Sequence, residues 1–252
     1  MGESLPEMGA AEVLVVSLET AEARRAAFAA RAADTSLAWR FFDACTAPAP
    51  GMTIDEPAIR RNKGRPMTRG EIGCYASHFS IWQDLIARGI PQAIVLEDDT
   101  VVDWAYLEPL ARTDLHALGI DYLRLYAKRP TWQRVVRRDF LQHSRTIVEL
   151  VGPAYGTQGY AITLEGARRL VAHCANVRRP IDDEMDRSWA HGLPNLALYP
   201  APILEAVVAS DIGTARFGPK SDPLYHSLRQ RAWRQVERAR MRMLKARRLL
   251  ER

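Results

Sequence analysis

The chain has 252 residues, 47% of them hydrophobic and 26% charged, so it fits one or two ordinary folded domains with enough length to bury a large core. Its three cysteines, Cys45, Cys74 and Cys174, form no CxxC pair, which argues against a disulfide framework and a Cys-rich structural zinc site and points to a reducing compartment. The net charge of +5 is uneven: residues 224–252 hold ten basic and two acidic side chains, a local +8, leaving residues 1–223 at −3 and weakening any case for a nucleic-acid-binding body.

Met1 to Ala11 has no cationic stretch followed by a long apolar one, so it is expected to be a disordered N-terminus and not a secretory signal. No apolar run approaches the roughly 20 residues needed to cross a bilayer, so membrane contact would be peripheral. Val13–Val16 is rich in β-branched residues and reads as a buried strand, followed by a helix over Ala21–Ala33 and a second strand over Trp39–Phe42. Residues 47–67 carry several prolines and glycines with little periodicity and are expected to be a loop. Thr68 with Glu71 three residues on is a capping box. A helix should start there, with Ile72, Tyr75, Ala76, Phe79, Trp82 and Ile86 as its apolar stripe, and end near Gly89 and Pro91.

Ala93–Leu96 reads as a buried strand running straight into Glu97-Asp98-Asp99. Further strands are expected at Tyr122–Tyr126, Tyr160–Thr163 and Leu196–Tyr199, with helices at Leu164–Cys174 and Asp182–His191. This alternation predicts an α/β fold with a mostly parallel sheet, whose ligands sit beyond the carboxyl ends of the strands. No P-loop, Gly-rich dinucleotide fingerprint, Gly-x-Ser-x-Gly elbow or His-Glu-x-x-His is present.

Three consecutive carboxylates after an apolar strand repel one another unless something neutralises them. A divalent cation held by hard oxygen ligands does so, and Mg2+ or Mn2+ is the natural choice; a solvated acidic turn is the plain alternative. Asp182-Asp183-Glu184 is a second acidic group, which opens a helix and could equally serve as its cap.

The run Thr68-Arg69-Gly70-Glu71-Ile72-Gly73-Cys74-Tyr75-Ala76-Ser77-His78, then Trp82, then Leu96-Glu97-Asp98-Asp99, resembles glycosyltransferase family 25, the lipooligosaccharide-biosynthesis family. The resemblance extends to Val15–Arg25, Phe42-Asp43-Ala44, Asp121, Tyr160–Leu170 and Pro180-Ile181-Asp182, and covers roughly residues 12 to 205. It implies a GT-A type, Rossmann-like sheet flanked by helices. It further implies inverting transfer of a hexose, galactose or glucose, from a UDP-sugar to a saccharide acceptor of a bacterial cell-surface glycan.

On that resemblance Glu97 and Asp99 would hold Mn2+ or Mg2+ at the donor's diphosphate, and Asp182, with Asp183 second, would be the general base. Ser17, Leu18, Arg24, Asp43, Glu71, Ser77, His78 and Asp98 would form the donor pocket. Ser17 stands where the family usually has Asn, and Arg24 or the neighbouring Arg25 would meet the nucleotide or remain solvated helix charge. Glu71 is already explained by its cap, and a lone His78 reads equally well as a hydrogen-bonded buried side chain. Gln158 and Tyr160 would face the acceptor, with the core as the other place for Tyr160. Asp211 falls where such folds bring a third metal ligand, but reads as a loop residue.

The expected organisation is a disordered 1–11, a transferase domain over 12–223 and a basic amphipathic helix over 224–252. In that helix Ala232, Val236, Ala239, Met243, Ala246 and Leu250 make a weak apolar seam among ten basic residues, with Trp233 and Met241 as candidate anchors. It would rest on an anionic membrane surface near a lipid-linked acceptor, on the cytoplasmic face; packing on the body or on a twin subunit is the alternative, and a nucleic-acid partner is not expected. Two other function classes stay open. One is a non-catalytic glycosyltransferase-like binding protein, the other a metal-dependent phosphodiesterase.

Overall fold

The computed structural model describes residues 5–206 and 228–250; Asp211 and the expected boundary at 223/224 lie outside the described residues. In chain order the elements are β1 (Glu12–Ser17), α1 (Glu22–Arg31), β2 (Trp39–Asp43), β3 (Thr53–Ile54), α2 (Glu56–Lys63), α3 (Arg69–Arg88), β4 (Gln92–Glu97), β5 (Thr100–Val102) and α4 (Trp104–Arg112). They continue with β6 (Tyr122–Arg124), β7 (Gln133–Arg137), β8 (Thr146–Leu150), β9 (Gly159–Thr163), α5 (Leu164–Cys174), β10 (Asn176–Val177), α6 (Ile181–Met185) and α7 (Ser188–His191). The last are β11 (Leu196–Tyr199), β12 (Ile203–Glu205) and α8 (Leu228–Leu250).

An eight-stranded sheet in the order β2-β1-β4-β9-β6-β11-β8-β7 organises the molecule. β1 pairs parallel with β2 and β4, and β11 with β6, whereas β9 runs antiparallel between β4 and β6, and β8 antiparallel between β11 and β7. The sheet is therefore mixed: six strands share one direction, as a mostly parallel sheet requires, and β9 and β8 run against them, which the sequence did not show. The reason is plain in β9: every residue from Gly159 to Thr163 is buried, and a continuous apolar run looks the same whichever way it is threaded.

Successive side chains on a strand face opposite sides, so β1 and β4 feed two cores at once. Val13, Val15, Ile94 and Leu96 pack under α1 and α4, while Leu14, Ala93 and Val95 meet α3 and α5 on the other face. α3 follows its sequence pattern closely. Its capping box at Thr68 and Glu71 is formed, Tyr75, Ala76, Phe79 and Trp82 are buried, and Gly89 closes it in the left-handed conformation.

Residues 47–67 are not the loop expected. They contain β3, paired with β10, and α2, whose Asp55 cap accepts from the Ala58 amide at 3.0 Å and whose Gly64 ends it at φ 85°. The Pro and Gly that read as breakers are the start and stop signals of a short helix. Residues 5–11, expected to be disordered, run beside α4, with the Met8 amide donating to Arg112 O and that of Ala11 to Ala111 O, both at 2.8 Å. The single helix expected over Asp182–His191 is two, α6 and α7, broken where Asp186 is drawn inward.

α8 lies on the body, the expected alternative to a membrane surface, and does so through the candidate anchors Trp233 and Met241 and not through the apolar seam. Trp233, Glu237, Met241 and Leu244 are half-buried, and Ala232, Val236, Ala239, Met243 and Leu250 of the expected seam are exposed. The Trp233 indole N–H donates to Asn62 Oδ1 at 3.2 Å under the Arg61 guanidinium, and Glu237 accepts from Arg187 at 2.9 Å. One aromatic anchor and an ion pair outweigh a seam half made of alanine. Among the described residues, no helix is long and apolar enough to cross a membrane.

Candidate active site

β1 sends the chain outward to β2 and, through α3, back to β4 on its other side, so the order reverses between β1 and β4. Ligands in α/β sheets collect beyond the strands' carboxyl ends at such a reversal. A cleft of about 530 Å³ lies there, lined by Val16–Leu18 after β1, Ala44–Thr46 after β2, and Glu97–Asp99 after β4. Arg24, Ser77 and His78 complete its walls.

Within this cleft the expected donor residues divide by what they already hold. Ser17 Oγ donates to Asp98 Oδ2 at 2.6 Å, and Arg24 Nε approaches the same oxygen at 3.3 Å, so Ser17 and Asp98 tie β1 to the β4 turn. Arg25 donates to the carbonyls of Ser17 and Leu18 and pairs with Asp43, which is exposed and outside the cleft lining. The pair orients the end of β1. Arg31, which the sequence did not single out, donates to the Asp98 and Thr100 carbonyls and holds the acidic turn from outside.

Asp99 is the unsettled member. Its Oδ1 is buried without a hydrogen-bond partner, and burial, then the charges of Glu97, Asp98 and Glu205, push its carboxyl up to about 7 against the pull of Arg24. A carboxylate so placed lacks positive charge, and Asp99 with Glu97 is a hard oxygen set that fits Mn2+ or Mg2+. Glu97 itself accepts from Thr157 Oγ1 and faces His78 Nε2 at 3.8 Å. Burial works to raise its carboxyl, but these two neighbours hold it below the ordinary range.

Of the expected donor residues, Ser77 lines the first cleft and Glu71 the second, and both also brace the scaffold. Glu71 takes Lys63 at 2.6 Å, Arg65 at 2.9 Å and the Thr68 amide at 2.8 Å, fastening residues 63–68 to the head of α3. Burial alone would raise its carboxyl, yet these donors hold it at about 2 instead of 4.5. A depressed acid stabilises above its unfolded pKa, so this contribution is complete above about pH 4.5 and is lost as pH falls towards 2. Replacing Glu71 by Gln is expected to cost roughly 3 kcal/mol at pH 7 and little near pH 2, measured by urea unfolding across that range.

Ser77 Oγ donates to Gly73 O at 2.7 Å and accepts the Cys45 amide at 2.8 Å. A Cβ on Gly73 would stand 2.4 Å from the Cys45 carbonyl oxygen, so only glycine lets α3 come this close to the loop after β2. Gly73→Ala is expected to cost about 1–3 kcal/mol in thermal unfolding and, because residues 44–46 line the cleft, to weaken donor binding as well. Tyr160, expected at the acceptor, is 1% exposed, and its hydroxyl is engaged by His78 Nδ1 and Trp82 Nε1, each at 3.0 Å. The structure places it behind Glu97 with no surface to offer a sugar.

A second cleft, of about 490 Å³, holds Asp182, Asp183 and Gln158 together with Lys63, Arg65 and Lys128, and shares Cys74 and Glu97 with the first. Asp182 Oδ2 accepts from the Gly156 amide at 3.3 Å and Oδ1 from the Asp183 amide at 3.0 Å. Pro180, not an aspartate, is the cap of α6, so neither acid is explained by capping. Burial, and beyond it Glu184 and Asp182, push Asp183 up to about 7 although Arg179 and Arg187 oppose this. Gln158 Oε1 has no hydrogen-bond partner.

Sequence reasoning missed what positions this cleft. Arg124, 1% exposed, donates to Asp186 at 2.8 Å, to Asn195 at 2.9 Å and to Gly156 O at 2.8 Å. Asp186 in turn accepts the amides of Ala154 and Tyr155. The network holds Tyr155 and Gly156 at φ 56° and 84°, and so presents Thr157 to Glu97. The available signal was one arginine inside the apolar run Tyr122–Leu125.

A family model described as glycosyltransferase family 25 (LPS biosynthesis protein) matches residues 10–185. Procollagen galactosyltransferase 2 of Mus musculus is 37% identical over 109 residues, 42% of this chain and 17% of its own length. Procollagen galactosyltransferase 1-B of Xenopus laevis is 36% identical over 124 residues, 48% and 20% respectively. Inactive glycosyltransferase 25 family member 3 of Homo sapiens is 31% identical over 186 residues, 66% and 29%. The aligned region thus spans less than a third of each of these relatives.

Proposed function

This chain belongs to glycosyltransferase family 25, and from that premise we propose a metal-dependent, inverting hexosyltransferase of GT-A type that moves galactose or glucose from a UDP-sugar to a saccharide acceptor. One observation carries the reading. A cleft holding Asp98 and Asp99 at the sheet's chain reversal and a cleft holding Asp182 and Asp183 meet along Cys74 and Glu97. Donor and acceptor can therefore occupy separate pockets and react where these join.

In this reading Asp99 and Glu97 hold Mn2+ or Mg2+. The bound ion supplies a Lewis acid for the diphosphate leaving group. Asp98 carries no such load, since Ser17 and Arg24 use it to keep the end of β1 against the acidic turn. Asp182 takes the proton from the acceptor hydroxyl as the new bond forms, and Asp183 is the second choice for that base. Lys63 and Arg65, bound to Glu71, form a fixed polar wall of the acceptor side.

Calorimetry with a panel of nucleotide sugars tests the reading: UDP-hexose should bind with Mn2+ present and lose affinity without it. Absence of Mn2+-dependent binding by any nucleotide sugar would overturn it. The similarity to an inactive family member favours one other reading, a donor-binding protein without transferase activity, which predicts that binding and no transfer to any acceptor.

The acceptor we propose is a lipid-linked bacterial cell-surface glycan, met at the cytoplasmic face of the membrane. The exposed Val236, Met243 and Leu250 of α8, set among arginines, support this placement, and each basic residue near an anionic surface adds about 1 kcal/mol before screening. Glu at both Val236 and Met243 in the full chain is expected to abolish sedimentation with anionic vesicles, while an unchanged pelleted fraction would leave a twin subunit as the partner of this face.

A further inference from the structure

Cys74 and His78 are four residues apart on α3, so their side chains leave the helix on one face, and Glu97 ends β4 opposite them. A ligand atom from each, the Cys74 sulfur, a His78 ring nitrogen and a Glu97 carboxylate oxygen, lie within 4.8 Å of one another. His78 is fully buried. Its Nδ1 is tied to the Tyr160 hydroxyl at 3.0 Å, which fixes the ring, while Nε2 points at Glu97 Oε1 from 3.8 Å and has no hydrogen-bond partner. Leaving a buried polar nitrogen unmatched costs about 1–3 kcal/mol, so something is expected to satisfy it.

We propose that Cys74, His78 and Glu97 form a binding site for a thiophilic divalent cation, of which Zn2+ is the natural example, in the wall between the two clefts. The donor set selects the ion class. Thiolate, imidazole and carboxylate suit Zn2+, whereas Mn2+ and Mg2+ favour all-oxygen sets. Bond lengths near 2.0–2.3 Å on a tetrahedral ion put its ligand atoms about 3.3–3.6 Å apart, so binding needs side-chain shifts of about 1 Å. On binding, the Cys74 sulfur–hydrogen bond is replaced by a sulfur–metal bond and the proton leaves to water. Nε2 gives its lone pair to the ion, and Nδ1–H donates to the Tyr160 oxygen, whose two lone pairs can serve both His78 and Trp82.

Three protein ligands leave the fourth position to water or a ligand from the clefts, the arrangement of an open site rather than a closed structural one. The site stands whether or not the chain is a transferase. If it is, an ion here also sets where Glu97 stands relative to Asp99.

Titration of the full-length protein with Co2+, with neither donor nor acceptor present, tests the proposal by absorption alone. One equivalent should produce a thiolate-to-cobalt charge-transfer band and the visible bands of tetrahedral cobalt, displaced by Zn2+ and not by Mn2+. Cys74→Ser should remove the charge-transfer band, and Cys45→Ser should keep it. No such band in the unaltered protein, or a band that survives Cys74→Ser, overturns the site. On the unaltered chain, Zn2+ should also protect Cys74 from alkylation, read by mass spectrometry, and equal labelling with and without Zn2+ overturns it independently of any variant's folding.

Discussion

On the proposed function, Asp99→Asn is expected to lower turnover about 1000-fold and to abolish Mn2+-dependent UDP-hexose binding, because loss of the metal ligand proposed there would forfeit roughly 4 kcal/mol of charge stabilisation at the leaving group. The same substitution should leave the fold intact and raise its stability. Burial and three neighbouring carboxylates push Asp99 up to about 7, so at higher pH the folded protein carries a charge that its surroundings oppose. A raised acid costs stability as pH rises above its unfolded value, and a neutral amide of the same shape removes that cost. By the size of that shift the expected gain is about 4 kcal/mol at pH 8, read from urea unfolding, and under about 1 kcal/mol at pH 4. Retention of both Mn2+-dependent binding and turnover would remove Asp99 from the metal site. A stabilised but inactive variant is the mark of a site kept strained for function.

Arg124→Met is expected to destabilise the protein by about 3–5 kcal/mol, the usual consequence of leaving one member of a buried pair without its partner. Asp186 would keep the amides of Ala154 and Tyr155 and the Asn195 side chain, but no cation. Burial already raises its carboxyl with Arg124 beside it, so the uncompensated charge would be costly. The loss also reaches the candidate site. Arg124 holds Gly156 O, the Gly156 amide meets Asp182, and Thr157 meets Glu97, so the loop between β8 and β9 should loosen and activity should fall further than unfolding alone explains. Urea unfolding together with activity well below the transition checks both parts. A loss under about 1 kcal/mol would show that Asp186 is satisfied by its neutral donors.

The acidic motif illustrates how far residue order carries. Glu97, Asp98 and Asp99 are adjacent, and a strand ending in three carboxylates reads from the sequence as a candidate cation site or as a solvated acidic turn. Their three separate tasks were not readable, because each depends on a distant partner: Ser17 and Arg24 for Asp98, His78 and Thr157 for Glu97, and none for the Asp99 Oδ1. Glu71 shows the reverse. Its cap is a local matter of three residues and is visible in the sequence, while Lys63 and Arg65 arrive from a segment that reads as a loop. For α8, periodicity found a helix and chose the wrong face, since Trp233 finds Arg61 and Asn62 only after folding.

By itself the sequence determined what depends on near neighbours: the strand and helix alternation, the capped start and glycine stop of α3, the buried runs of β1 and β4, and the two groups of acids. Only the tertiary structure decided the direction of β9, the meeting of the two clefts at Cys74 and Glu97, and the Arg124–Asp186 network beneath them. The division is physical. Propensity and period act over a few residues, whereas a buried charge or an unmatched nitrogen gains its meaning from partners tens of residues away, which no local pattern records.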